Sequence, residues 1–255
     1  MRPNGVRELW RQGRPAIGSL LTLNSPFMGE VMGHVGFDWL GVDLQHSETN
    51  LANVQAMFQA ISSTPAMPFV RVAGNDSILV QRVLDLGAYG VLVPMVETVA
   101  EAEAAVRAAK YAPMGARSWG PIRGALYGGP DYFHHANTET VLLVMLESRT
   151  AVANARDILA VEGVDGCYIG PNDLGITYGY PPESGISEEV EQAVGQILEA
   201  AQATGTVAGM QTYSSADVLR RARQGFGFLG LGSDVRLATA AARAELAATR
   251  EGLAG

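Results

Sequence analysis

The sequence contains a single cysteine, Cys167, so no disulfide can form within the chain. One unpaired cysteine suits a reducing compartment. Because Cys167 lies within an apolar run, we predict that its thiol fills space in the core and does not act as a nucleophile. A chain of 255 residues buries enough surface to fold without disulfides or a structural metal, which excludes the small disulfide-stabilised classes.

Basic residues are also scarce, because 18 Lys and Arg stand against 26 Asp and Glu and give a net charge of -8 at pH 7. Proteins that bind nucleic acids need clustered Lys and Arg to neutralise phosphates, so small molecules are the expected partners. Long hydrophobic runs are lacking as well: residues 51–70 are uncharged but too polar to span a membrane, and residues 16–23 are too short. We expect a cytoplasmic protein with no membrane span and no signal peptide.

Short apolar runs rich in strand-forming residues recur along the whole chain, with stretches of helical spacing between them. Strands that alternate with helices indicate a parallel sheet. Eight such repeats match a closed (β/α)8 TIM barrel, for which about 250 residues is typical, so we predict one barrel domain over residues 1–255. The predicted strands cover residues 16–22, 39–44, 68–73, 91–96, 141–146, 166–170, 207–211 and 227–232.

The competing architecture is an open, doubly wound sheet. Such a sheet has two edges to protect and normally carries a glycine-rich turn after its first strand, whereas residues 24–27 are Asn, Ser, Pro and Phe. This favours the closed barrel. Residues 113–138 contain five glycines, and we predict a long irregular loop there, a feature that is often functional.

Polar side chains follow four of the predicted strands. Barrel enzymes react at the C-terminal ends of their strands, so these side chains are the candidates for the active site. Two carboxylates there would suit a divalent ion such as Mg²⁺ or Mn²⁺ and leave coordination positions open. An arginine facing the rim could stabilise an enolate oxygen, and the absence of a strand-end lysine disfavours Schiff-base chemistry. The residues are Asp43, Leu44, Gln45 and His46 after the second strand, Arg71 at the third, Glu147 after the fifth, and Pro171, Asn172 and Asp173 after the sixth.

Each candidate also has a structural interpretation. Glu147 could pair with a neighbouring arginine, and Asp173 could cap a turn. A lone histidine such as His46 is often only a hydrogen-bonding group, although a carboxylate, for which Asp85 is the candidate, could fix its tautomer for proton abstraction. The turn that begins at Gly170 could present backbone N–H groups to an anion. The residues alone leave these alternatives open.

A set of segments spread in order over residues 18–235 matches one family in combination. The segments are Ser25-Pro26-Phe27-Met28-Gly29-Glu30, Gly36-Phe37-Asp38-Trp39, Val42-Asp43-Leu44-Gln45-His46, Arg71-Val72-Ala73-Gly74-Asn75-Asp76, Asp85-Leu86-Gly87-Ala88, Val93-Pro94-Met95-Val96, Gly115-Ala116-Arg117-Ser118-Trp119-Gly120-Pro121, Leu146-Glu147-Ser148-Arg149 and Ile169-Gly170-Pro171-Asn172-Asp173-Leu174. Together they resemble the HpcH/HpaI aldolase family, the metal-dependent pyruvate aldolases.

The resemblance implies a (β/α)8 barrel that assembles as a homohexamer, with its last helix exchanged between neighbouring subunits, and that binds Mg²⁺, Mn²⁺ or Co²⁺. It implies that Glu147 and Asp173 hold the metal, which pyruvate chelates through its keto and carboxylate oxygens. Arg71 would lie against the keto oxygen. The substrate carboxylate would be held by the backbone of four consecutive residues, Gly170, Pro171, Asn172 and Asp173.

By the same resemblance, His46 is oriented by Asp85 and acts with a metal-bound water as the acid and base. The implied reaction is the reversible cleavage of 4-hydroxy-2-oxo acids to pyruvate and an aldehyde through an enolate. In the direction of addition, the negative charge of the enolate develops only as a methyl proton leaves pyruvate. A divalent ion and a guanidinium therefore stabilise the transition state more than the ground state.

One residue departs from the family pattern, because the family usually has glutamate just before the histidine and this chain has Gln45. A neutral amide keeps hydrogen bonding but would weaken proton transfer. Two rival functions stay open. A lyase like the citrate lyase β subunit would act on a coenzyme A thioester, but no clear basic groove is evident for the nucleotide. A non-catalytic binder of 2-oxo acids is favoured only by Gln45.

Overall fold

The computed structural model describes residues 1–254, which form a closed barrel of eight parallel strands. The strands are β1 (Ala16–Leu21), β2 (Trp39–Asp43), β3 (Met67–Arg71), β4 (Gly90–Val93), β5 (Val141–Met145), β6 (Gly166–Ile169), β7 (Val207–Thr212) and β8 (Phe228–Ser233). Each strand pairs with the next in chain order, and β8 closes onto β1 through pairs such as Phe228 with Ala16. The predicted single (β/α)8 barrel is therefore confirmed.

Twelve helices of the described chain surround or flank the barrel. They are α1 (Gly5–Arg11), α2 (Pro26–Val35), α3 (Leu51–Ile61), α4 (Ser77–Asp85), α5 (Val99–Ala109), α6 (Ile122–Gly128), α7 (Tyr132–Glu139), α8 (Arg149–Leu159), α9 (Pro171–Thr177), α10 (Glu188–Thr204), α11 (Ser215–Gln224) and α12 (Asp234–Ala254), with a short 3₁₀ helix (Pro182–Ser184) after α9. Several start at side-chain caps, as when Asp76 accepts a hydrogen bond from the backbone N–H of Leu79 at 2.8 Å.

The prediction of a long irregular loop over residues 113–138 is wrong in part, because α6 and most of α7 lie there. Both helices are short, and α6 contains Gly124 and ends at Gly128. Glycine has a low helix propensity, so helices that are held by packing, here of Tyr132 and Ala136 against Tyr111, leave little periodicity in the sequence.

The end of β4 also differs from the prediction, which extended this strand to residue 96. The strand ends at Val93 because the next residue, Pro94, has no N–H to donate to a ladder. The following residue, Met95, has a φ of 55°, in the left-handed region that residues other than glycine rarely adopt. In this turn the backbone N–H of Met95 donates to the side chain of Glu147, a residue of the candidate site.

Aromatic side chains fill the barrel interior. Trp39 and Phe228 stack with ring centroids 4.2 Å apart, and Phe69 and Tyr168 pack against the same pair. Gly18 makes room for this cluster, since a Cβ at that position would overlap the Trp39 indole. A barrel packed in this way is a core and not a channel, so the open space lies at its ends.

The N-terminal end of the barrel is closed by α1. Val6 is fully buried in the same core cluster as Trp39. The amide of Asn4 donates to the backbone oxygens of Tyr89 and Glu139, which precede β4 and β5. This helix and its contacts cover the N-terminal ends of the strands, and a cavity opens at their C-terminal ends.

Cys167 lies where its apolar surroundings in the sequence predict. Cys167 is fully buried, and burial raises the pKa of its thiol to about 12, which confirms a core role. None of the helices described within residues 1–254 is both long enough and apolar enough to cross a membrane. Most side chains of α12 beyond Asp234 are exposed, and exchange of this helix between subunits stays a prediction.

Candidate active site

A cavity of about 400 Å³ opens at the C-terminal ends of the strands. It is the place where parallel barrels carry their active sites. Six of the predicted site residues line it: His46, Arg71, Gly170, Pro171, Asn172 and Asp173. Asp43, which was named at the end of the second strand without a role, also lines the cavity, as do side chains that sequence reasoning did not select, among them Tyr168, Gln211, Tyr213, Ser233 and Arg236.

Glu147 and Asp173 are brought together at Gly170. Glu147 follows β5 and is only 2% exposed, and Asp173 lies in the first turn of α9, which begins directly after β6. Pro171 fixes the backbone at the first helical position and turns the chain so that Asp173 faces its neighbour. A Cβ placed on Gly170 would collide with Oε2 of Glu147 and would lie 3.6 Å from Oδ2 of Asp173. Glycine is therefore required between the two carboxylates.

The Glu147 carboxylate lacks the partners that a buried charge normally has. Its Oε1 accepts a hydrogen bond from the N–H of Met95 at 3.0 Å, and within residues 1–254 no side chain donates to it. Burial raises its pKa from 4.5 to about 7, and the nearby Asp173 charge adds to this rise, while the Met95 N–H and Arg71 oppose it. A buried carboxylate in such a state favours a proton or a cation beside it.

These features fit a divalent ion. Carboxylate oxygens are the ligands that Mg²⁺ and Mn²⁺ prefer, and Glu147 Oε2 and Asp173 Oδ2 both lie next to the same glycine. No group of three or more His, Cys, Asp or Glu side chains suited to a metal occurs in the described part of the chain. A site made from this pair would therefore take its other ligands from substrate and water, as open sites that bind substrate do.

Arg71 is held by Asp43, a residue that sequence reasoning named at the strand end but did not assign to the site. Nε and Nη2 of Arg71 donate to Oδ1 and Oδ2 of Asp43 at 2.9 and 2.6 Å. Burial lowers the pKa of the Arg71 guanidinium, but the Asp43 carboxylate more than compensates and the pKa is raised overall. Asp43 is fully buried, so this two-point pair fixes the guanidinium at the cavity wall as a permanently charged group.

Asp43 also organises the segment that follows β2. Its Oδ1 accepts hydrogen bonds from the backbone N–H groups of Gln45 and His46 at 3.0 and 3.4 Å. One carboxylate thus positions both Arg71 and the backbone of His46. The side-chain oxygen of Gln45 is buried and has no hydrogen-bond partner within the described chain. The signal that could have assigned Asp43 was its place beside Arg71 in paired strands.

The structure does not bring His46 and Asp85 together within one chain. His46 follows β2 at the open end of the barrel and lines the cavity. Asp85 is the last residue of α4, only five residues before β4, so it lies towards the opposite end. There its carboxylate accepts a hydrogen bond from Arg117 Nη2 at 2.7 Å. The role predicted for Asp85 at His46 stays a prediction.

The residues after β7 and β8 were missed because sequence reasoning applied the strand-end rule only to strands two, three, five and six. Gln211 lies within β7 and Tyr213 follows it, and both line the cavity. Gln211 accepts a hydrogen bond from the Tyr168 hydroxyl at 2.6 Å. Ser233 ends β8, and Arg236 lies in the first turn of α12. The same rule applied to all eight strands would have found this side of the site.

The fold and these contacts define a (β/α)8 barrel whose candidate site combines a buried carboxylate pair with a fixed arginine at the C-terminal rim. Residues 17–241 match the family model described as HpcH/HpaI aldolase/citrate lyase. The chain belongs to this family, which confirms the resemblance drawn from its sequence.

Several relatives are similar over nearly the whole length. A hydroxypyruvate/pyruvate aldolase of Rhizorhabdus wittichii is 38% identical over 248 residues, which cover 97% of this chain and 99% of the relative. A 4-hydroxy-2-oxo-heptane-1,7-dioate aldolase of Shigella sonnei is 38% identical over 247 residues, which cover 94% and 93%. The crystal structure of an HpcH/HpaI aldolase/citrate lyase family protein from Burkholderia cenocepacia has 30% identity and a TM-score of 0.90, and covers 97% of this chain and 99% of that one.

Proposed function

We propose that this protein is a divalent-metal-dependent pyruvate aldolase that reversibly cleaves 4-hydroxy-2-oxo acids to pyruvate and an aldehyde. Its relatives are named aldolases, one of them for pyruvate and hydroxypyruvate. The observation that carries the proposal is the buried pair of Glu147 and Asp173 on either side of Gly170, with Arg71 on the wall of the adjoining cavity.

Glu147 and Asp173 would hold Mg²⁺, Mn²⁺ or Co²⁺. When bound, such an ion supplies a Lewis acid that stabilises negative charge on an enolate oxygen. The chain's own residues supply the rest. Arg71, kept charged and oriented by Asp43, would donate to the keto oxygen, where charge accumulates as the methyl proton leaves. The backbone at residues 170–173 would hold the pyruvate carboxylate.

His46 would move the proton, because it is the histidine that lines the cavity. In the cleavage direction it would take the proton of the 4-hydroxyl group as the carbon–carbon bond breaks, and the enolate carbon would then be protonated to give pyruvate. Asp85 lies at the other end of its own barrel, so it would reach His46 only from a neighbouring copy of the chain. That arrangement is compatible with the homohexamer that the resemblance implies.

We also propose that the enzyme works in the cytoplasm.

The test measures the two halves of the reaction separately. Chelated protein is assayed with and without added Mg²⁺, Mn²⁺ or Co²⁺ for release of pyruvate from 4-hydroxy-2-oxo acids, and for deuterium exchange into the methyl group of pyruvate by NMR. We expect both activities only with metal. Glu147→Gln and Asp173→Asn should abolish them, whereas Glu189→Gln, which changes an exposed carboxylate paired with Arg149, should not.

Each outcome separates the proposal from its rivals. Exchange that persists after chelation would contradict the metal dependence. Binding of pyruvate without exchange would identify a non-catalytic binder. Exchange of acetyl-coenzyme A protons with none for pyruvate would favour a lyase of the citrate lyase kind.

A further inference from the structure

Arg236 is an arginine on the cavity wall that has no acidic partner. It lies in the first turn of α12 and lines the same cavity as Arg71 and Asp173. More deeply buried arginines are matched with carboxylates, as Arg71 is with Asp43 on the same cavity wall and Arg221 is with Glu191 elsewhere. Within residues 1–254 the Arg236 side chain forms neither an ion pair nor a hydrogen bond, and its guanidinium lies over an aromatic ring.

The position of Arg236 is fixed although the side chain is exposed. Asp234, two residues earlier, is 1% exposed and accepts hydrogen bonds from the backbone N–H groups of Thr22 and Leu23 at 2.9 and 3.0 Å. The start of α12 is thus tied to the segment after β1. The guanidinium carbon of Arg236 lies 4.5 Å from the ring centroid of Tyr213, a cation–π distance. The backbone of Arg236 is therefore anchored at the rim, and its guanidinium lies over the Tyr213 ring.

Tyr213 connects this charge to the site of reaction. Burial raises the pKa of the Tyr213 hydroxyl, and the charge of Asp173 raises it further, while Arg236 and Arg71 oppose the rise. Tyr213 lines the same cavity as Asn172 and Asp173. One side chain therefore separates Arg236 from the residues proposed to hold the metal and pyruvate. An aldehyde that meets the pyruvate methyl carbon in this cavity could place its far end near Arg236.

We propose that Arg236 is a specificity-determining residue that selects aldehydes carrying an anionic group, a carboxylate or a phosphate, at the end distant from the carbonyl. The proposal rests on the proposed aldolase function. Asp43 neutralises Arg71, and Glu147 and Asp173 face the metal position, which leaves Arg236 as the cation on the cavity wall that lacks a carboxylate. Guanidinium groups bind carboxylate and phosphate through paired N–H donors.

The experiment compares acceptors that differ in their far end. Aldol addition of pyruvate is measured with succinic semialdehyde, glyceraldehyde 3-phosphate and butanal, which carry a carboxylate, a phosphate and no charge. Arg236→Gln should lower kcat/KM for the preferred anionic aldehyde by about tenfold and leave butanal within about twofold of the wild type. Arg236→Lys should keep part of the preference. Arg223→Gln, which changes an exposed arginine on α11, is the matched control and should change nothing.

Deuterium exchange into pyruvate without any aldehyde is measured on the same variants. It should be unchanged in Arg236→Gln, which also shows that the variant folds. An equal loss for charged and neutral acceptors, or a loss of exchange, overturns the assignment of Arg236. Absence of exchange in the wild type refutes the aldolase function, and this inference with it. The anion whose kcat/KM falls more identifies the group that Arg236 binds.

Discussion

Binding of a divalent ion to Glu147 and Asp173 should depend on pH in a range where ordinary carboxylates are fully ionised. Burial raises the pKa of Glu147 to about 7 from the usual 4.5, so near pH 6 most molecules carry a proton on this carboxyl. A metal binds the carboxylate and not the acid. The ion must therefore displace the proton, and the apparent affinity falls as the pH falls.

The size of the effect follows from the pKa. A site that binds only the ionised form is weakened about tenfold at pH 6 and about 100-fold at pH 5, relative to its plateau above pH 8. These factors correspond to about 1.4 and 2.7 kcal/mol. With the unshifted value of 4.5, the loss at pH 6 would be only a few per cent. The pH 6 measurement therefore distinguishes the two cases.

Titration calorimetry with Mn²⁺ in buffers of different ionisation enthalpy measures affinity and proton release together. We expect close to one proton released per ion at pH 6 and almost none at pH 8.5. Glu189→Gln should keep this profile, whereas Glu147→Gln should lose both tight binding and proton release. A flat affinity from pH 5.5 to 7.5 without proton release would refute the electrostatic reasoning.

The raised pKa of Glu147 also determines how the stability of the metal-free protein changes with pH. The folded state binds the Glu147 proton more tightly than the unfolded state, so the free energy of unfolding should fall as the pH rises from 4.5 to about 7. The decrease amounts to a few kcal/mol at most. Chemical denaturation of the chelated protein at several pH values measures it, and Glu147→Gln should remove it.

Two substitutions test the geometry of the site. Gly170→Ala should weaken Mn²⁺ binding at least about tenfold, because the new Cβ would collide with Glu147 Oε2. Gly175→Ala is the control and should bind Mn²⁺ normally, since its Cβ would meet only a backbone oxygen at 3.7 Å. Equal affinities for the two variants would contradict a metal site formed by Glu147 and Asp173 around Gly170. Asp43→Asn should lower the free energy of unfolding by about 3 kcal/mol and slow methyl exchange of pyruvate, because it leaves Arg71 buried without its counter-ion. Denaturant titration measures the first effect and NMR the second, and a stable, active variant would show that Arg71 needs no fixed partner.

The barrel could be predicted from the sequence because its signals are local and repeated. Each strand is a short apolar run bounded by a helix start, so an error of one or two residues in a boundary changes nothing in the topology. The two errors have different causes. The glycines of α6 hid a helix that is held by packing against residues distant in sequence. The early end of β4 follows from Pro94, a local signal that the predicted strand ran past.

The candidate site was predictable as a set of strand ends but not as a set of partners. Parallel strands bring Arg71 and Glu147 to one rim, and the strand-end rule needs no distances. Which carboxylate pairs with which cation depends on register and on the turn after each strand. The pairing of Arg71 with Asp43 follows from the register of β2 and β3. The pairing of Asp85 with Arg117 joins α4 to a segment 32 residues away, which no spacing could reveal.

The charges of the residues at the rim give a reason for a neutral side chain at position 45. Glu147 and Asp173 carry two negative charges, which a divalent ion balances, and Asp43 already offsets Arg71. A glutamate in place of Gln45 would put a further negative charge two residues from the buried Asp43, at a side-chain oxygen that is buried without a partner, whereas the amide adds no charge there. With Gln45, the positive charge of Arg236 is not offset by a carboxylate at the rim. We therefore expect a substrate with anionic groups at both ends to meet less repulsion here than in a site with glutamate at position 45.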